Sequence, residues 1–464
     1  MTPDDRPPQL PSGFRFGVAT TAAQVEGAAD DDGRTPSIWD VFAGAPGRIT
    51  DGSSPAVAVD HYHRWAGDLS LAKTMGVGVF RMTLSWSRLQ PTGRGAPNPR
   101  GVAFYDRLLD RLLGDGIAPH VGLHHADMPL ELMEEGGWLV RSTADAFAEY
   151  AALAAAAFGD RVAAWSTVDE PLTQLAYGYA VGLDAPGLTL LDGAFQAAHH
   201  QLLAHGMAAA VLRSTASGAI GIVNDHTVVR PARRTGADRV AAQCYDAYHN
   251  RQFADPVLLG RYPEQLLHMP DVPTDVIHEG DLELIAAPLD FYAVGYSHPV
   301  TVSAAPGNAR IPFSLEVPPG ARLTAAGWPD DPAAMTDLLI DLNRRYPALP
   351  PVLVIGTGAA FADTATGAAP ADPGAVPPDP DRIAWIDGAL AGIAAAIAQG
   401  CDVTGYVHRS LLDSWEWTEG FTRSFGLVRV DPATLERRPR ASFDHFRHVI
   451  ERNTSAGSDA AGGG

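Results

Sequence analysis

Cysteine is almost missing from this chain. Its two residues, Cys244 and Cys401 among 464, form no disulfide framework and no metal-knuckle spacing, which fits a reducing cytoplasm. Positive charge is scarce as well: 34 Lys and Arg against 54 Asp and Glu leave a formal charge of −20. Nucleic acid and anionic membranes both need a cationic face, so neither is an expected partner. No apolar run reaches the ~18 residues of a membrane span. The opening, MTPDDRPPQLPSG, is acidic and proline-rich and has no apolar stretch of the kind a secretion signal carries. No period of ~20–50 residues repeats. What remains is an acidic, globular, cytoplasmic protein for which no cofactor is expected.

What is present is alternation. Apolar, β-branched stretches at 14–20, 78–86, 117–123, 162–168, 219–224, 289–295, 352–355 and 402–407 read as strands. Helical stretches lie between them, including 142–158 and 383–399, and Leu108, Leu109, Leu112 and Leu113 make an i, i+4 stripe ending in glycine. Strand and helix alternating eight times predict parallel strands with crossover helices, and the length suits a single (β/α)8 barrel with long loops. The expected organisation is an N-terminal extension over 1–13, the barrel over 14–452 and a disordered tail over 453–464. Residues 361–381, low in complexity, read as a mobile loop over the barrel mouth.

The stretch Trp165 to Pro171, WSTVDEP, concentrates the chemistry. A short β-branched run ends in two adjacent carboxylates and a proline that cannot continue a ladder. Asp169 and Glu170 therefore fall at the C-terminal tip of a strand, where a parallel barrel keeps its site. Arg81, inside an apolar strand, requires an anion nearby, because an unpaired buried charge is prohibitive.

The motifs FRFGVATTAAQVEGA, DGRTPSIWD, DHYHRW, FRMTLSWSRLQPTGRG, GGWL, FGDRVAAWSTVDEP and SLLDSWEWTEG with FGLVRVD after it together resemble glycoside hydrolase family 1, the β-glucosidase family. The resemblance implies a barrel with its site at the C-terminal mouth. It implies that Gln24 and His125 bind ring hydroxyls and that Glu416 and Trp417 hold those at the pocket floor. It makes Glu170 the general acid/base and Arg81 the arginine beside the nucleophile. The family's nucleophile glutamate is expected at the tip of strand seven. There the chain reads PVLVIGTGAA, with Gly356 at the glutamate position and Thr357 at the asparagine position.

Other family positions differ too. Gly295 and Ser297 stand where Asn and Tyr are expected, leaving Tyr296 to turn inward in compensation. Asp169 replaces an asparagine, Ala126 and Arg409 replace tryptophans, and Ser414 replaces an asparagine. Asp169 beside Glu170 is expected either to raise one of the two pKa values by like-charge repulsion or to sit in a salt bridge to Arg409 or another cation. Arg409, Tyr296 and His298 join the expected substrate contacts, and the pocket reads as wider and more cationic, suited to an acidic or bulkier ligand. His124, His125, His226, His298 and His408 lie near strand tips, without the spacing of a compact metal motif.

Three readings follow. In the first, a repurposed enzyme acts on a glycoside or polar cyclic metabolite by acid/base chemistry at Glu170 without a covalent step; an inverting route needs a further base, for which Asp225 is a candidate. In the second, a β-glucosidase uses a displaced carboxylate such as Asp363. In the third, a non-catalytic protein binds glycosides.

Overall fold

The computed structural model describes residues 10–269, 271–307, 311–362 and 378–461. Eight strands close into one parallel barrel: β1 (Arg15–Ala19), β2 (Val79–Thr83), β3 (Ala118–His124), β4 (Ala164–Asp169), β5 (Ala219–Asp225), β6 (Phe291–Gly295), β7 (Val352–Thr357) and β8 (Val403–His408). Each pairs with its neighbours in sequence, and β8 returns to β1. All eight match stretches read as strands, because each is a short, largely apolar run bounded by turn residues.

Side chains alternate across each strand. Val79, Ala164, Val223, Phe291, Ala293, Leu353, Ile355 and Val407 pack together inside the barrel. The opposite faces meet the helices. These are α1 (His61–Met75), α2 (Pro99–Gly114), α3 (Ser142–Phe158), α4 (Phe195–Thr215), α5 (Gly236–Asp246), α6 (Met335–Arg345), α7 (Pro380–Ala398) and α8 (Ala441–Ala461).

α2 shows how a sequence stripe becomes a packed face. Asn98 caps it, accepting from the Arg100 N–H, and Pro99 opens the first turn. Phe104, Tyr105, Leu108, Leu109 and Leu112 are buried, each large apolar side chain contributing roughly 1.5–3 kcal/mol. Leu113, part of the expected stripe, is 44% exposed, so the buried face lies toward Phe104 instead.

Two boundaries differ from the sequence reading. Ser142 is the first residue of α3 and not its cap. The last helix runs to Ala461, through most of the segment read as a tail. Leu10 is buried and its N–H donates to Asn453 Oδ1 at 3.1 Å, joining the start of the described chain to α8. Most of the 361–381 loop lies outside the described residues, as does Asp363. Among the described residues no helix is long and apolar enough to cross a membrane.

Candidate functional site at the barrel mouth

Strand β4 ends at Asp169, and the chain turns at Glu170 through φ +50, a left-handed conformation, before Pro171 begins a helical turn. Adjacent carboxylates are thereby sent to different places. Asp169 points into the barrel and forms an ion pair with Arg81 of β2. Both groups are buried, at 1% and 5% side-chain exposure. Gly122 of β3 makes the pair possible: a Cβ there would collide with Asp169 Oδ2 and come within 3.2 Å of Arg81 Nη2. Burial raises the Asp169 pKa, with Arg81 and then His125 opposing it.

Glu170 faces the mouth. Its N–H donates to Val223 O at 2.8 Å, locking the β4 tip to β5. Its Oε2 lies 3.3 Å from His125 Nε2. A carboxylate only accepts, so that nitrogen carries the proton. His125 Nδ1 rests 3.1 Å from Thr21 Oγ1. Burial alone would raise the Glu170 pKa, but the charge and hydrogen bond of His125, with Arg409 and Arg81 behind them, hold it down to about 2. Of the two expectations for Asp169 the ion pair is the one present, with Arg81 and not Arg409 as the cation.

Asp225, the last residue of β5, is raised as well. Val223 and Asp225 share the inward face, and Asp225 pairs in register with Gly295 of β6. A Cβ on Gly295 would collide with Asp225 Oδ1, so glycine there leaves the carboxyl its room. Thr173 Oγ1 donates to Asp225 Oδ2 at 3.2 Å. Burial and the nearby charge of Glu170 push its pKa up to about 8, against Arg409 and the Thr173 hydrogen bond.

Strand β7 carries a bulge between Ile355 and Thr357, and Gly356 adopts φ +68. The bulge turns residue 356 inward. A Cβ there would lie 2.9 Å from Glu170 Oε1, with nothing else within 4 Å.

On the other side of the mouth, Glu416 accepts from Gln24 Nε2 at 3.1 Å, Ser414 Oγ at 2.6 Å and Arg409 Nη2 at 2.6 Å. Arg409 continues the inward face of β8, its guanidinium 4.3 Å above the Phe425 ring. Trp417 stands edge-on to His125 at 5.4 Å and leans on Trp39 at 4.8 Å. Gln24 Nε2 also donates to Trp415 O at 3.1 Å, and two residues on, buried Glu26 accepts from Arg88 Nε at 2.9 Å and Tyr105 OH at 2.6 Å.

Gln24, Arg81, His125, Asp169, Glu170, Gly356, Arg409, Glu416 and Trp417 are thus brought together at the mouth. Tyr296 does not join them. It lies on the outward face of β6 and its hydroxyl donates to Asp331 O at 2.7 Å. His298 stacks on Trp328 at 5.0 Å, and Trp328 in turn meets Phe425 at 6.0 Å, so it touches the site only through the aromatic support of Arg409. His124 binds Gln174, His226 binds Tyr292 and His408 binds Tyr406, each buried. Among the described residues no three His, Cys, Asp or Glu side chains are placed to hold a metal. The pocket is also no more cationic than its acids, since Arg81 and Arg409 are both paired.

Sequence reasoning missed Thr173, and it read Gly295 only as a lost asparagine. The register that sets Gly295 beside Asp225 is the signal that shows its purpose.

A profile of glycosyl hydrolase family 1 matches residues 6–455. The chain belongs to this family. It is 40% identical over 451 residues to thermostable beta-glucosidase B of Thermobispora bispora, covering 96% of this chain and 91% of that one. A bifunctional beta-D-glucosidase/beta-D-fucosidase of Bifidobacterium breve is 37% identical, covering 95% and 98%. Among solved structures, the family 1 β-glucosidase from Thermotoga maritima superposes with a TM-score of 0.90 at 34% identity, covering 97% of this chain and 99% of that one. The family 1 barrel is what these likenesses share with the fold above.

One consequence concerns His125. Its replacement by asparagine removes the strongest of the opposing influences on Glu170, so that carboxyl rises from about 2 toward an ordinary value. Folded-state depression stabilises the protein above the unfolded pKa of about 4.3, and that contribution is lost as pH falls through about 2. His125→Asn is therefore expected to lose acid tolerance first between about pH 4 and pH 2, measured by fluorescence-monitored acid unfolding. An unchanged acid transition would show that His125 does not hold the Glu170 charge.

Proposed function

We propose that this family 1 protein acts on a glycoside, or a polar cyclic metabolite of similar shape, by proton transfer at Glu170 without forming a glycosyl–protein bond. The observation that carries this reading is Gly356: its inward position faces Glu170 Oε1 and offers only a hydrogen atom. A retaining glycosidase needs a second carboxylate about 5–5.5 Å from the acid/base. With none supplied by residue 356, water is the nucleophile, and inversion at the anomeric carbon follows.

The binding half of the site supports a pyranose. Gln24, His125 and Glu416 offer amide, imidazole and carboxylate to ring hydroxyls, and Trp417 offers an apolar face. The printed activities of the relatives favour a β-glucoside or β-fucoside as the first compound to try. Glu416 already accepts from Gln24, Ser414 and Arg409, so a sugar hydroxyl at this position displaces one of its present donors.

The test is the product anomer released from an aryl β-glucoside, followed by proton NMR. Inversion is expected. Retention, or a glycosyl–protein adduct trapped with a 2-fluoro glycoside, would place a protein carboxylate in the covalent role and reject the reading.

Azide gives a second measure. Seated beside Gly356, it is expected to speed turnover of an aryl β-glucoside by about tenfold, about 1.4 kcal/mol off the barrier, with release of a glycosyl azide. No rescue, together with stabilisation of the fold by glucose, would favour a protein that only binds sugars.

A further inference from the structure

A cavity of about 560 Å³ lies between α5 and α6 and shares no lining residue with the barrel mouth. That volume falls within the roughly 300–1,000 Å³ of small-molecule sites. Ala242 and Asp246, four apart on α5, face it, and Leu338, Asp341 and Arg345 of α6 line it too. The chain leaving β5 closes its inner end, beginning with His226.

His226 is the group that points to a ligand. It is 3% exposed, and burial keeps its ring neutral, the pKa pushed down to about 4. A neutral imidazole carries one proton. Tyr292 OH accepts from Asn224 Nδ2 at 2.8 Å, so it gives its own proton to His226 Nε2, also 2.8 Å away. The ring proton is then on Nδ1, and that nitrogen has no hydrogen-bond partner. Asn250, the amide beside it, already uses Oδ1 on the Thr227 N–H and Nδ2 on Thr227 O and Asp246. A buried donor left unmade is costly and rare, and this one lies on a cavity wall.

The charges around the cavity cancel. Arg345 reaches from α6 to Asp246 of α5 at 2.7 Å and holds Asp341 at 2.8 Å, which Arg344 also meets. Three arginines and three aspartates line the walls, so neither an anion nor a cation is favoured. Ala242, Leu338 and Leu342 add apolar surface to these polar groups. A pyranose or a cyclic polyol has the matching form. Its C–H faces suit the apolar wall, its hydroxyls suit carboxylate and guanidinium, and its oxygens can accept from an imidazole N–H.

We propose that this cavity is a second, non-catalytic site for a neutral polyhydroxy molecule of hexose size, seated with one hydroxyl oxygen on His226 Nδ1. The site stands apart from the glycoside reading: it uses neither Glu170 nor Gly356, and it holds equally for a protein that hydrolyses nothing.

Histidine-selective nitrogen-15 NMR tests it, with glucose and myo-inositol as probes. The His226 signal is assigned with His226→Gln, whose amide keeps the contact with Tyr292 and lacks the Nδ1 donor. Either sugar or polyol is expected to shift that signal with a Kd on the order of 1–10 mM. Ala242→Trp, which fills the cavity, should abolish the shift. His125 reports binding at the mouth, so its response to glucose should be the same in Ala242→Trp as in the wild type.

A His226 signal that neither probe moves would overturn the proposal, whatever His125 does. So would a shift that survives Ala242→Trp, or one produced by acetate or inorganic phosphate and not by the neutral probes. Should Ala242→Trp not fold, calorimetry of myo-inositol binding to His226→Gln replaces it. Affinity is expected to fall about five- to tenfold, and an unchanged affinity rejects the site. A protein that cleaves no aryl β-glucoside would end the functional reading and leave the His226 titration just as decisive.

Discussion

Glutamine in place of Glu170 is expected to lower kcat/KM for an aryl β-glucoside by on the order of 10²–10⁴, the usual range for loss of one positioned proton-transfer group. Glutamine matches the shape and keeps an acceptor for His125 Nε2, so the fold should survive. The charge, however, is gone. A Glu170→Gln protein that kept activity within about threefold would remove Glu170 from the chemistry altogether. The neighbour that Glu170 acts beside should also respond: without the Glu170 charge, Asp225 loses the second of the two influences that raise it, so its titration is expected to fall below about 8. Infrared titration of the variant would show this as the protonated-carboxyl band disappearing at lower pH.

Breaking the Arg81–Asp169 pair should have the largest effect on stability. Arg81→Met leaves Asp169 in a buried slot with its guanidinium removed, and such uncompensated charges cost about 3–5 kcal/mol. The urea midpoint is the measurement. Asp169 is already raised by burial, and the variant raises it further. A raised acid contributes stability below its unfolded pKa of about 3.9 and loses it as pH climbs through the folded value. The destabilisation should therefore be worst near neutrality and shrink as pH falls toward about 4. Substituting both members by apolar residues of similar volume should recover most of the loss, since a well-packed apolar pair is often as stable as a buried ion pair. A single variant as stable as the wild type at neutral pH would mean that Asp169 finds another partner, with His125, whose charge already acts on it, the first candidate.

The two predictions share a cause. Asp169 and Glu170 are adjacent in sequence, and repulsion between them or an ion pair for Asp169 were equally open. The left-handed turn at Glu170 sends one carboxyl to Arg81 across the Gly122 gap and the other to His125 at the mouth. Repulsion then comes from a residue 55 positions away, Asp225, which only the closure of the barrel brings near.

Much was legible in the chain beforehand. Local period and turn residues identified all eight strands, because a β-branched run between breakers has few other stable forms. The WSTVDEP stretch located Glu170 at a strand tip, and the family motifs assembled Gln24, His125, Glu416 and Trp417 around it. The glycine at 356 was visible as a letter. Proton states and partners were not visible, because they sum the fields of groups on β2, β4, β5 and β8 whose distances exist only in the folded barrel. Arg409 read as an added positive charge, yet its guanidinium lies on Glu416. Tyr296 and His298 read as pocket residues, yet strand alternation turns Tyr296 outward and stacking holds His298 against Trp328. By itself the sequence determined the barrel, the family and the tip on which Glu170 sits, since these follow from short-range pattern. Only the tertiary structure decided which acid faces which base, since a bulge at Gly356, a slot at Gly295 and the pairing of distant strands set those neighbours.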